Sequence, residues 1–97
     1  MTRIITSEML FDEEPKVITV VGGESVKMQA VGDGVYTLKG RLSDECEWDT
    51  ICAIKASSFS KSSSIADTSV WFADVSGYSA ITVENEGFTK IYATIIG

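Results

Sequence analysis

The sequence predicts an all-β fold: a single antiparallel β-sandwich, Ig-like or jelly-roll-like, of about seven strands with an extended N-terminal arm. Three observations predict it. From Lys16 onward the chain alternates apolar and polar residues with the two-residue period of half-buried strands. Glycine- and asparagine-bearing turns punctuate that alternation. No long window carries apolar residues at helical spacing, and no capping residues frame one.

The elements follow in order. Lys16–Val21 is β-branched and ends at Gly22-Gly23, a pair suited to a tight hairpin. In Glu24–Val31, Val26, Met28 and Ala30 face one way and Ser25, Lys27 and Gln29 the other. Gly32-Asp33-Gly34 is the next turn. Val35–Leu42 then sets Tyr36, Leu38, Gly40 and Leu42 against Thr37, Lys39 and Arg41. After the acidic loop Ser43–Glu47, Trp48–Lys55 is apolar but breaks strict alternation, which predicts a bulge near Asp49 or Thr50. Ala56–Ser64 holds six serines and reads as a long connection crossing between sheets. Val70–Asp74 and Tyr78–Glu84 are strands separated by a kink at Val75-Ser76-Gly77. Asn85-Glu86-Gly87 is a turn, and Phe88–Ile96 closes the domain. The expected core is Leu38, Trp48, Ile54, Phe72, Ile81, Val83, Ile91 and Ala93.

With 97 residues, the chain is long enough for one domain and too short for two cores. Residues 1–15 read as the arm and 16–97 as the sandwich, with Pro15 marking the boundary. In the arm, the apolar patches Ile4-Ile5 and Met9-Leu10-Phe11 need cover. Either they form an additional strand on a sheet edge or they lie on a neighbouring protein.

Composition narrows the function classes. Fourteen carboxylates against eight Lys and Arg give a net charge of −6, which opposes binding to a phosphate backbone. No apolar run is long enough for a membrane span. The N-terminus lacks the basic, apolar and small-residue regions of a secretory signal, so synthesis in the cytoplasm of the producing cell is expected. Cys46 and Cys52 are expected as free thiols in that compartment, and two sulfurs without histidine make a poor zinc site.

Catalytic patterns are weak. The chain has no histidine to serve as base to a serine or cysteine nucleophile. Ser58 and Lys61 have Ser-x-x-Lys spacing, but inside the serine-rich loop, where lysine stays solvated and protonated. The Asp44–Asp49 segment has calcium-like carboxylates, but their spacing matches no helix–loop–helix site and reads as a solvated loop. The expectation is a protein that binds without catalysis and takes no cofactor or metal, with neither nucleic acid nor membrane as partner.

A resemblance then becomes visible. The run Lys39-Gly40-Arg41-Leu42-Ser43-Asp44-Glu45-Cys46-Glu47-Trp48-Asp49-Thr50-Ile51 resembles the strand plus G-s-x-D-x-x-x-W-x-x-I element of small β-sandwich virion domains of tailed bacteriophages. Val70-Trp71-Phe72-Ala73-Asp74-Val75-Ser76-Gly77-Tyr78-Ser79-Ala80-Ile81 is similar to their apolar pair, D-V-S-G-Y kink and following strand. Glu86-Gly87-Phe88 and the closing strand to Gly97 also fit. One departure is Ile81-Thr82-Val83-Glu84, where such domains often carry an arginine, so that residue's role does not transfer.

The resemblance implies a large core anchor at Trp48, and a kink in which Asp74 and Ser76 bond local backbone N–H groups. It implies a virion structural protein of the capsid-decoration, head-fibre or tail-associated type. The most concrete expectation is a decoration (cement) protein on the outer capsid surface, stabilising the shell as a homotrimer. Its partner would be the major capsid protein or another virion protein, met by Ile4, Ile5, Met9, Leu10 and Phe11 of the arm. The alternative is a tail or baseplate module for a receptor or glycan, using Phe59, Trp71, Tyr78 and Tyr92.

Overall fold

The computed structural model describes residues 4–11, 18–19 and 25–96, with side chains from 25 to 95. Among the described residues, ten strands form two antiparallel sheets. They are β1 (Ile4–Phe11), β2 (Ile18–Thr19), β3 (Ser25–Val31), β4 (Val35–Arg41), β5 (Asp49–Thr50), β6 (Ala53–Lys55), β7 (Lys61–Ser62), β8 (Trp71–Asp74), β9 (Ala80–Glu86) and β10 (Lys90–Ile96). One sheet has the order β1-β10-β3-β8-β6-β7 and the other β2-β9-β4-β5. The all-β sandwich is as expected. The strand count is higher because β2, β5, β6 and β7 are only two or three residues long.

Two central ladders set the frame. β3 pairs with β10 from Ser25–Ile96 to Val31–Lys90, and β4 pairs with β9 from Val35–Glu86 to Arg41–Ala80. Each partner pair sits in a different sheet, so β3 and β4, and likewise β9 and β10, are joined by crossings between sheets. The expected turn at Asn85-Glu86-Gly87 is therefore one of these crossings. The two crossings abut: the Thr89 N–H donates to the Val31 carbonyl at 2.9 Å. Gly34 packs so closely that a β-carbon there would overlap the Glu86 carbonyl oxygen and the Phe88 nitrogen. The Gly22-Gly23 turn lies outside the described residues.

The core lies between the sheets. Val26, Met28 and Ala30 of β3 face Tyr36 and Leu38 of β4, with Ile81, Val83, Ile91, Ala93 and Ile95 completing the layer. Five of the eight expected core residues are there: Leu38, Ile81, Val83, Ile91 and Ala93.

The other three are corrected. Trp48 is half-buried at the surface, and Ile54 and Phe72 are half-buried and directly paired across β6 and β8. Their neighbours Ala53, Trp71 and Ala73 take the inner positions. In β8 both phases of the alternation carry a large apolar residue. The buried phase is the one whose indole N–H finds an acceptor: Trp71 Nε1 donates to Asp67 Oδ1 at 2.8 Å.

Three further expectations change. Trp48–Lys55 is not one bulged strand. β5 belongs to the β4 sheet and β6 to the β3 sheet, and the chain crosses at Ile51-Cys52. The serine-rich stretch turns back on itself as the β6–β7 hairpin. Ile65 then bridges to Tyr36 in the other sheet through two backbone hydrogen bonds of 2.8 and 2.9 Å. Leu42, assigned by alternation to the inner face of its strand, lies just past the end of β4 and is exposed.

Candidate functional site

Three surfaces could carry function. The first is the edge formed by β1. Its backbone pairs with β10, placing Ile4 opposite Ile96, Ile5 opposite Ile95, Ser7 opposite Ala93 and Phe11 opposite Ile91. The register shifts between Ser7 and Phe11, so Met9 and Leu10 fall within the irregular stretch. The backbone of residues 4–11 thus takes the sheet-edge position. The side chains of Ile4, Ile5, Met9, Leu10 and Phe11 lie outside the described residues.

The second is a groove of about 300 Å³ at the end of β4, lined by Gly40, Arg41, Leu42, Cys46, Glu47, Asp49 and Tyr78. Register explains it. Gly40 pairs with Asp49, so the next positions, Arg41 and Trp48, are cross-strand neighbours. The Arg41 guanidinium lies 4.3 Å from the centre of the Trp48 ring, a cation–π contact. Arg41 Nε is buried and has no hydrogen-bond partner among the described residues. Tyr78 is half-buried against the core, and a side chain at Gly40 would collide with its ring. The acidic loop rims this groove, with Asp44, Glu45, Glu47 and Asp49 all exposed. Among the described residues, no three acidic or sulfur ligands converge on a common metal position.

The third surface is the outer face of the β3 sheet. Val31, Val70 and Tyr92 are exposed there, beside a shallow depression lined in part by Lys27, Gln29 and Thr94. Phe59 is the most exposed large apolar residue described, at 73%, and sits at the tip of the β6–β7 hairpin with φ 59°. That left-handed backbone disfavours a bulky side chain.

At the kink between sheets Asp74 bonds a local backbone N–H as expected, whereas the Ser76 hydroxyl turns to the Asp74 carboxylate. Asp74 Oδ1 accepts from the Ser76 N–H at 2.9 Å and from the Ser76 hydroxyl at 2.6 Å, and these bonds hold the Asp74 carboxyl below the usual carboxylate range. Asp67 is lowered for a related reason: the Trp71 indole N–H first, then the Ser69 N–H and Lys55.

The sequence-level candidates distribute as follows. Tyr78 lines the groove, Trp71 is buried, and Phe59 and Tyr92 belong to the β3-sheet face. Cys46 and Cys52 are free and exposed. Ser58 Oγ is 3.0 Å from Ser60 Oγ. The Arg41–Trp48 pair was missed. Its signal was the return of the chain after a short loop, which brings the two residues together only once β5 is known to pair with β4.

Together the fold and these surfaces define a small two-sheet antiparallel β-sandwich whose distinctive features are edges and shallow grooves. No protein-family model matches the chain, and no curated protein sequence does. Solved structures do match in fold. The SPBc2 prophage-derived protein YomS aligns with a TM-score of 0.77 and 14% identity over 100% of this chain and 94% of its own. The PBSX exported protein XepA aligns with a TM-score of 0.74 and 16% identity over 99% of this chain but 37% of its own. The chain therefore spans nearly the whole of the first protein and little over a third of the second.

Proposed function

We propose that this chain is a bacteriophage structural protein that acts by binding, without catalysis, most concretely a decoration protein on the outer capsid surface. The observation that carries the reading is the end-to-end fold likeness to the prophage-derived YomS. The sequence resemblance to virion domains points the same way. In this reading a homotrimer docks on the major capsid protein or another virion protein through the β1 segment, with Ile4, Ile5, Met9, Leu10 and Phe11 as contacts. Burying several such side chains is worth about 1.5–3 kcal/mol each before ordering costs.

The test is co-sedimentation of the full chain with capsids of the encoding phage, beside a chain lacking Met1–Asp12. Saturable binding that the truncation abolishes supports the reading. Unchanged binding by the truncated chain removes the N-terminal contact, and no binding by the full chain removes the decoration role.

A second reading is a tail, baseplate or exported module that binds a receptor or glycan. The groove lined by Arg41, Glu47, Asp49 and Tyr78, with Trp48 stacked against Arg41, favours it, because an aromatic ring beside arginine and carboxylates suits a sugar's apolar face and hydroxyls. XepA is named as an exported protein. A glycan array probed with the full chain and with Trp48→Ala decides it: signal lost in the variant supports the groove, and no signal discards it.

A further inference from the structure

The exposed large apolar residues are unevenly placed. Five are described; Val31 and Tyr92 lie on β3 and β10, Val70 immediately precedes β8, and Phe59 is at the tip of the β6–β7 hairpin, all on the side of the β3 sheet. The ladders put them at one end of it. Val31 pairs with Lys90 at the crossing end, and Tyr92 pairs with Gln29 two pairs in, on the same face. Gln29 reaches across to the Thr68 carbonyl, just before Val70. The Ala56 N–H bonds the Val70 carbonyl, which sets the Phe59 hairpin beside Val70. Lys27 and Lys90 stand among these residues on the same face, while Asp67 on this sheet is engaged by Lys55 at 3.2 Å.

The fifth residue is Leu42, 67% exposed. It follows Arg41, which pairs with Ala80 at the kink end of the other sheet. Its surroundings are mainly acidic: Glu47 and Asp49 share its groove with Arg41, and Asp44 and Glu45 are exposed in the adjoining loop. The molecule thus carries an apolar stripe with lysines at one end of one sheet, and an apolar point ringed by carboxylates at the other end of the other sheet. At a net charge of −6, two copies repel unless their docking is oriented. One orientation relieves this by setting the acidic end of one copy on the lysine-bearing stripe of the next.

We infer that a second copy of this chain occupies the stripe, head to tail, with Leu42 seated among Val31, Val70 and Tyr92. Lys27 and Lys90 then face the neighbour's acidic loop. Two different patches meet, so the contact is heterologous and produces a closed ring where the rotation per copy divides a full turn. The raised backbone energy of Phe59 fits this role: an aromatic ring held out at a hairpin tip extends the apolar rim. The inference rests on the homo-oligomer part of the proposed function and supplies its contact.

The experiment uses sedimentation velocity on the full chain and on two variants, Tyr92→Glu and Leu42→Glu. Both positions are exposed, and circular dichroism confirms folding. The wild type should sediment as an oligomer that weakens as salt rises, and each variant alone as a monomer. An equimolar mixture of the variants should give a dimer, since one keeps the acidic end and the other keeps the stripe. Should either variant unfold, Lys90→Glu and Glu47→Lys replace them, and combining both reversals in one chain should restore the oligomer. A monomeric wild type, an undiminished Leu42→Glu oligomer, or a mixture that stays monomeric overturns the head-to-tail contact. Capsid co-sedimentation reads the decoration role separately: a monomer that still binds capsids leaves that role standing, and an oligomer that ignores them removes it.

Discussion

Trp71 donates its indole N–H to Asp67, four residues upstream, at 2.8 Å. The same carboxylate oxygen accepts the Ser69 N–H at 3.1 Å, and the other oxygen meets Lys55 Nζ at 3.2 Å. One exposed-side carboxylate thus fixes the loop before β8, the orientation of a core tryptophan and the end of β6.

Asp67→Ala should therefore destabilise the fold by about 1–2 kcal/mol, because the indole N–H loses its acceptor. Asp67→Asn keeps an acceptor and removes the charge. The folded-state pKa of Asp67 is depressed, so its contribution is present above the unfolded carboxylate value near 3.9 and is lost as pH falls through the folded value. Urea midpoints measured from neutral to acid pH should show the gap between wild type and Asp67→Asn closing toward the acid end.

Tyr36 makes the opposite case. Its ring is buried edge-on to Phe88, with centroids 5.6 Å apart, and its hydroxyl has no partner among the described residues. Burial first, and the Asp67 charge second, push its phenol well above the ordinary value. Tyr36→Phe should be neutral or stabilising by up to about 1 kcal/mol, since it removes an unsatisfied buried hydroxyl. A raised folded pKa means the contribution is intact below the unfolded value near 10 and declines as pH rises beyond it. The variant should lose that alkaline decline, read by thermal unfolding between neutral pH and strongly alkaline buffer.

Gly34→Ala tests the interlocked crossings. The added methyl would meet the Glu86 carbonyl oxygen and the Phe88 nitrogen, both backbone, so neither can swing aside as a side chain would. A loss of about 3 kcal/mol is expected, measured by urea denaturation. A change under about 0.5 kcal/mol would show that the crossings give way freely.

Arg41→Ala should expose the Trp48 ring and shift its emission to the red, with about 0.5–1 kcal/mol lost. Trp71, buried on the opposite sheet, should report no change. Fluorescence of Trp48→Phe and Trp71→Phe chains separates the two signals.

Much of the framework was legible in the chain. The strands that form β3, β4, β8, β9 and β10 follow from alternation; the kink was marked by Val75-Ser76-Gly77, and its Asp74-Ser76 bonding was implied by the resemblance, a bond over two residues being local. Leu38, Ile81, Val83, Ile91 and Ala93 were placed by the same periodicity. Trp71 and Phe72 show where it runs out. When adjacent residues are both large and apolar, period two fixes that they point apart and leaves open which points inward. The β5–β6 break shows another limit: the strain in the alternation at Trp48–Lys55 was visible, but a bulge and a change of sheet disturb a pattern alike.

The sequence by itself determined that the chain is all-β, where β3, β4, β8 and β10 run, and that an acidic loop and an apolar N-terminal segment flank them. Only the tertiary structure decided which sheet each strand joins, that the turns at Gly32-Asp33-Gly34 and Gly87 cross between sheets, and that Arg41 lies against Trp48. It also placed four exposed apolar residues at one end of one sheet and Leu42 at the opposite end. The reason is range. Alternation and turn chemistry act over a few residues, whereas sheet membership and surface grouping depend on ladders such as β3–β10 and β4–β9, whose partners lie tens of residues apart.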